Sequence, residues 1–190
     1  NGDGYSDVII GAANYNDNYS FEGVAFIYHG SVTGLSASPN SRPDDANQGT
    51  AFFGASVASA GDVNGDEYSD VIIGAYTFDD GANIDEGRVF VYHGSASGLS
   101  ATPNSIPDDA NQPYAYFGWS VAGAGDVNGD GYSDVIIGAP AYTDGANTGE
   151  GRAFVYYGSA SGLSAIANST PDDADQANVN FGRSVAGIGD

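Results

Sequence analysis

Asp126, Asn128, Asp130 and Asp134 stand at positions 1, 3, 5 and 9 of the stretch DVNGDGYSD, inside one short glycine-containing loop. Tyr132, at position 7, adds a backbone carbonyl. Every donor is a hard oxygen, and no His or Cys takes part. That donor set selects Ca²⁺ or Mg²⁺ over zinc or copper. Several oxygens from one flexible loop favour Ca²⁺, because Mg²⁺ prefers a smaller octahedral shell and keeps its water. Gly129 and Gly131 let the backbone fold around an ion. Without a cation, three carboxylates so close repel one another.

Two simpler readings fit less well. The loop begins D-x-N-x-D-G, like an EF-hand, but position 12 is Ile137 where a bidentate Glu is required, and strands flank the loop where helices would be needed. A plain Asn-Gly or Asp-Gly hairpin turn has no use for acids at positions 1, 5 and 9.

The same chemistry recurs. At 62–70 the donors are Asp62, Asn64, Asp66, Tyr68 through its carbonyl, and Asp70; Glu67 replaces the glycine at position 6. A non-glycine residue at positive φ costs about 1 kcal/mol, so a weaker site is expected there. A third loop is split, with Asn1, Asp3, Tyr5 and Asp7 at one end of the chain and Asp190 at the other. It forms when the two ends, or neighbouring copies, come together. Asn1 and Asn64 are 63 residues apart; Asn64 and Asn128 are 64 apart, as are Asp62, Asp126 and Asp190. The protein is therefore one unit written three times, cut inside that unit. So long a period suits a propeller blade better than a helical solenoid unit.

Each unit must place its loop on strands. In the central copy, four strands are expected at 55–60, 70–75, 88–93 and, more weakly, 99–106. Val71, Ile72 and Ile73 are apolar without alternation, which marks a strand covered on both faces. Val89, Val91 and His93 alternate with Phe90 and Tyr92, a pattern suited to a pleated surface. Pro103 and Pro107 confine the fourth strand to a sheet edge. No segment keeps a helical period. One four-stranded sheet cannot bury both faces alone, and radial stacking of such sheets gives a β-propeller of ~4–8 blades. The first strand of the first unit is missing, while a spare copy, 183–188, stands at the other end. Closure therefore requires further repeats of the chain or another copy of it; otherwise an edge stays open.

Composition narrows the function. The cations are Arg42, Arg88, Arg152 and Arg183, against 25 Asp and Glu, for a net charge of -21. Such a surface repels nucleic acid and anionic membranes and attracts cations. With 41% hydrophobic and 12% aromatic residues in regular runs, the chain is expected to fold. There is no Cys, hence no disulfide framework or thiolate chemistry. No apolar run approaches the ~20 residues of a membrane-spanning helix.

The chain resembles the FG-GAP repeats of integrin alpha-subunit propellers and their bacterial relatives. Phe53-Gly54, Phe117-Gly118 and Phe181-Gly182 carry the first half of that signature. Gly138-Ala139-Pro140 carries the second, varied to Gly11-Ala12-Ala13 and Gly74-Ala75-Tyr76. The resemblance implies an all-β propeller with calcium bound in the loops between first and second strands. It divides the chain into blades at 1–54, 55–118 and 119–182, with 183–190 completing a neighbouring blade. A calcium-stabilised segment of a secreted or cell-surface protein follows, structural, adhesive or ligand-binding, without catalysis and able to assemble head to tail into a ring or filament. The alternative is the propeller domain of an extracellular hydrolase or lyase acting on polysaccharide or lipid.

Asp44, Asp45, Asp79, Asp80, Asp108, Asp109, Asp144, Asp172 and Asp173 gather on the face opposite the acidic loops. The corresponding integrin face contributes to ligand recognition, and a protein or glycan ligand would lie there. The repeated Pro-Asp-Asp-Ala also reads as turn chemistry on a solvated rim. His29 and His93 match Tyr157 in the third copy, which marks a packing position rather than a catalytic base. Arg88 and Arg152 follow Glu86-Gly and Glu150-Gly and are expected to form local ion pairs of small value. Trp119 is expected to pack between blades. No Ser-His-acid spacing is found.

Overall fold

Eight strands form three antiparallel sheets, one for each copy of the repeat. The computed structural model describes residues 1–172 and 174–189. Asp173 and Asp190, both named above, lie outside the described residues. Strands β1 (Val8–Ala12) and β2 (Val24–Tyr28) make the first sheet. Strands β3 (Ser56–Gly61), β4 (Asp70–Ala75) and β5 (Arg88–Tyr92) make the second, and β6 (Ser120–Gly125), β7 (Asp134–Ala139) and β8 (Arg152–Tyr156) the third. The described residues contain no helix. The architecture is all-β, a stack of propeller-type blades that does not close into a ring.

The unbroken apolar run of β4 is explained by burial on both sides. Ile72, Val89 and Val91 pack into a core with Phe117 and with Val121, Val135 and Ile137 of the third sheet. Ile73, Phe90 and Tyr92 point the other way, into a core with Ala25, Ala51 and Phe53. Each fully buried aliphatic or aromatic side chain contributes roughly 1.5–3 kcal/mol, so these two interfaces hold the sheets together. The rings of Phe53 and Phe90 meet edge-on at 5.2 Å, and Phe117 and Phe154 repeat the contact at 5.2 Å.

The Phe-Gly and Gly-Ala motifs meet across these interfaces. The Phe53 and Phe117 N–H groups donate to the carbonyls of Glu22 and Glu86 at 2.9 and 2.7 Å. The Gly118 carbonyl then lies directly against Gly74, where a Cβ would collide with it, and accepts the Ser56 hydroxyl at 2.7 Å. The same contact joins Gly182 to Gly138 and Ser120.

Three details depart from a plain series of identical four-stranded sheets. The fourth strand shrinks to one bridge per sheet, Ile27↔Ser41, Val91↔Ser105 and Val155↔Ser169. The cause is a side chain doing backbone work: Asn104 Oδ1 accepts the His93 N–H at 2.9 Å, where a fourth strand would offer a carbonyl, and Asn40 and Asn168 repeat it. Residues 183–188 form no strand, since no second strand lies beside them among the described residues; Ile188 is 96% exposed. Strand β1 is not covered on both faces: Val8 and Ile10 are 38% and 49% exposed, because no sheet packs on their side. A groove of about 440 Å³ runs between the first and second sheets, lined by Asp7, Ile9, Ile27, Ser59 and Val71 among others.

Candidate metal centre

In the second and third sheets the acidic loop lies between the first and second strands, where the register slips between Ser59 and Gly61 and between Gly123 and Gly125; in the first sheet residues 1–7 precede β1. The slip frees the chain to turn before Asp62 and Asp126. In the third sheet Asp126 accepts three backbone N–H groups: Oδ1 from Gly129 at 2.7 Å and Asp130 at 3.1 Å, Oδ2 from Gly131 at 2.8 Å. These donors, Gly131 first, hold its carboxyl below the usual carboxylate range. Asn128 Oδ1 accepts the Asp130 N–H at 2.9 Å, and Asp130 Oδ1 the Tyr132 N–H at 3.0 Å. Each side chain thus folds onto the backbone two residues ahead, and the loop is ordered by its own acids.

Asp134 behaves differently. It is fully buried, and its two oxygens accept the N–H groups of Val127 and Gly158, both at 2.9 Å. Burial pushes its carboxyl up despite those two donors. Asp70 repeats this with Val63 and Gly94 at 2.9 and 2.8 Å. The residue at position 9 therefore clamps the acidic loop to the turn leaving the third strand.

The loop at 62–70 has the same bonds: Asp62 receives Gly65, Asp66 and Glu67, Asn64 receives Asp66, and Asp66 receives Tyr68. Glu67 sits at φ +72°, the left-handed conformation that Gly131 takes at +93°. In the split loop, Asp3 N–H donates to Asn1 Oδ1, Tyr5 N–H to Asp3 Oδ1, and Gly30 N–H to Asp7 Oδ1. The Asn1 ammonium occupies the second oxygen of Asp7 at 3.1 Å. Asp190 lies outside the described residues.

In all three loops the donors are hard oxygens, the set that suits calcium. The carboxylates at positions 1, 5 and 9, however, are spent first on backbone N–H groups. Among the described residues, three carboxylates converge within 4.8 Å of one another only elsewhere, at Asp80, Glu86 and Asp108 and at Asp144, Glu150 and Asp172.

Neighbouring acidic loops also interlock, which sequence reasoning missed. The ring of Tyr132 lies against Gly65 of the preceding loop, and Tyr68 lies against Gly2. Ser133 N–H donates to the Asp62 carbonyl at 2.9 Å, and the Asp62 N–H to Ser133 Oγ at 3.1 Å. Tyr and Ser in the GYSD motif are contacts between sheets. Their recurrence was the available signal. His93 Nδ1 lies 3.1 Å from the Asn64 amide, so this packing position touches the loop.

The opposite ends of the strands carry the arginines. Arg88 pairs with Asp80 at 2.7 Å and Asp108 at 3.3 Å, not with Glu86, and stacks 4.2 Å over Phe78. Arg152 pairs with Asp144 and Asp172 at 2.6 and 3.0 Å over Tyr142. In the first copy Val24 replaces the arginine, and Arg42 arrives from another position to pair with the equivalent Asp17 and Asp44 over Tyr15. Burial, followed by the shared hydrogen bond with Asp80, pushes Asp108 up to about 7. The second Asp of the motif also has structural work: Asp45 Oδ2 accepts the Tyr92 hydroxyl of the next sheet at 2.6 Å. Pro-Asp-Asp is thus a partly buried ion-pair and bridging element, not a solvated rim. Trp119 packs between sheets, 4.7 Å from the Tyr76 ring.

The family described as FG-GAP repeat matches residues 53–92 and 117–156. Human integrin alpha-6 is 36% identical over 142 residues, 73% of this chain and 11% of that protein. Chicken integrin alpha-6 is 34% identical over 145 residues, covering 73% of this chain and 12% of the relative. Chicken integrin alpha-V is 33% identical over 144 residues, 73% of this chain and 14% of its length. The chain thus spans about an eighth of the length of these relatives.

Proposed function

The chain carries FG-GAP repeats and is homologous to integrin alpha chains, and from that premise we propose that it is a calcium-binding, non-catalytic propeller segment of a secreted or cell-surface protein, working in adhesion or ligand binding. The observation that carries the reading is the repeated acidic loop, a hard-oxygen donor set folded by its own side chains and interlocked with the next loop through Tyr132 and Ser133. Calcium would be held by Asp126, Asn128, Asp130, the Tyr132 carbonyl and Asp134. The equivalent set is Asp62, Asn64, Asp66, the Tyr68 carbonyl and Asp70. Asn1, Asp3, Tyr5 and Asp7 would contribute to a third site with Asp190. The ion supplies positive charge where acids crowd, and bound ions stabilise the folded state by mass action. Extracellular calcium, near millimolar, keeps even weak sites filled.

Near-identical repeats favour architecture or multivalent binding over a single active site. The proposed units are the blades 1–54, 55–118 and 119–182, with 183–190 completing a neighbouring blade. The open edge of β1 is completed in this reading by further repeats or another copy. A protein or glycan ligand is assigned to the face opposite the acidic loops.

Calcium titration by calorimetry, paired with thermal unfolding, tests the reading. At a hundredfold excess of calcium over Kd, each site raises stability by about 2.7 kcal/mol. The double variant D126N/D130N removes the heat and the stabilisation belonging to that loop. A melting curve indifferent to millimolar calcium, with no binding heat, refutes calcium binding.

A further inference from the structure

We propose that Asp80, Glu86 and Asp108, and again Asp144, Glu150 and Asp172, form a second set of calcium sites at the strand ends remote from the acidic loops. Glu86 is the residue that points there. Glu86 is 1% exposed, yet neither of its carboxylate oxygens has a hydrogen-bond partner. A buried charge without a partner is costly unless an ion or a charged group answers it. Arg88 is not that group: its Nη2 is engaged by Asp80 and Asp108. Its Nε and Asp108 Oδ1 are also buried without partners.

Geometry and charge agree on the occupant. One carboxylate oxygen from each of the three acids lies within 4.8 Å of the other two, in both copies. Two oxygens each about 2.4 Å from one calcium ion lie no more than about 4.8 Å apart. With all three acids ionised, three carboxylates and one guanidinium leave each cluster at a charge of -2, which a divalent cation cancels. All the donors are hard oxygens, as calcium prefers. Arg88 holds both Asp80 and Asp108, and Glu86 stands two residues before β5. In the third sheet Glu150 is 2% exposed, and Arg152 Nε and Asp172 Oδ1 are likewise unpartnered.

The first copy is an internal control. Its Glu22 is buried too and its Oε1 has no partner, but Glu22 Oε2 accepts the N–H groups of Asn18 and Tyr19, both at 3.2 Å, where neither oxygen of Glu86 is engaged. Its arginine comes from position 42, and Asp17, Glu22 and Asp44 do not converge as the other two sets do. The proposal therefore gives two such sites, one in each of the second and third sheets.

Equilibrium dialysis of the full chain against calcium, after chelator treatment, counts the ions. The double variant E86Q/E150Q is expected to bind two fewer calcium ions than the unaltered chain while keeping those lost in D126N/D130N. Unaltered stoichiometry in E86Q/E150Q overturns the proposal and leaves calcium binding by the acidic loops intact. Thermal unfolding in chelator supplies a second reading. Gln replaces Glu without changing its size, so removing a lone buried charge should leave the melting temperature equal or higher, and calcium should then raise it less than in the unaltered chain. A lower melting temperature in chelator means that Glu86 and Glu150 have protein partners, and it too overturns the proposal.

Discussion

At the scale of single residues, Glu67 measures what an acidic loop tolerates. Its neighbours repeat the bonds of the 126–134 loop, and its N–H donates to Asp62 Oδ2 at 2.8 Å. It does so at φ +72°, where the equivalent residue in the other copies is glycine. A side chain in that region costs about 1 kcal/mol. Glu67→Gly is therefore expected to raise the stability of the calcium-free chain by roughly 1 kcal/mol, less whatever the more flexible unfolded chain takes back. Urea unfolding reads this directly, and a midpoint that falls would mean that the Glu67 side chain makes a contact worth more than the strain. Residue spacing made the loop visible at once, because its donors follow one another in sequence. Asp134 was legible as a donor, but its role as a clamp on Gly158 was not, since that partner lies 24 residues away.

At the scale of elements, the sheets are joined by backbone meeting backbone. Gly74 in β4 receives the carbonyl of Gly118, which leads into β6 of the next sheet, so closely that no side chain fits between them. Gly74→Ala must therefore push the second and third sheets apart or distort one of them. Overpacking of this kind costs about 1–3 kcal/mol. Because the obstacle is main chain, which cannot swing aside as a side chain does, a loss of about 2 kcal/mol or more in urea unfolding is expected. An unchanged midpoint would show that the two sheets do not pack as described. The second and third strands were readable from apolar runs and β-branched residues. The fourth was overestimated, because Asn104 satisfies the neighbouring N–H from a side chain and ends the ladder after one bridge.

At the scale of the whole molecule, the stack is open. Strand β1 lacks a partner on one edge, and Val8 and Ile10 are exposed beside it. In the third sheet Val121 pairs with Ile137, so the repeat would set Val185 opposite Ile10. Under the proposed head-to-tail reading, residues 183–188 of one copy pair with β1 of another, and the split loop takes Asp190 from one chain and Asn1, Asp3 and Asp7 from the other. Light scattering with calcium should then give a mass above the 19.3 kDa of one chain, falling to 19.3 kDa in chelator. A 19.3 kDa particle under both conditions would rule out assembly of this kind.

Sequence alone was enough for the repeat, the all-β class, the order of the loops along each unit and the oxygen chemistry of 62–70 and 126–134. These are local properties: donors on alternate residues, apolar runs, and motifs that return every 63 or 64 positions. Tertiary structure decided which acids share a space. Asp80, Glu86 and Asp108 span 28 positions and converge only because β4 and β5 fold back on one another and the Pro-Asp-Asp turn closes over them. Burial, too, belongs to the assembled sheets: Glu86 reads as an ordinary charged loop residue, yet in the fold it is 1% exposed, with its carbonyl taking the Phe117 N–H.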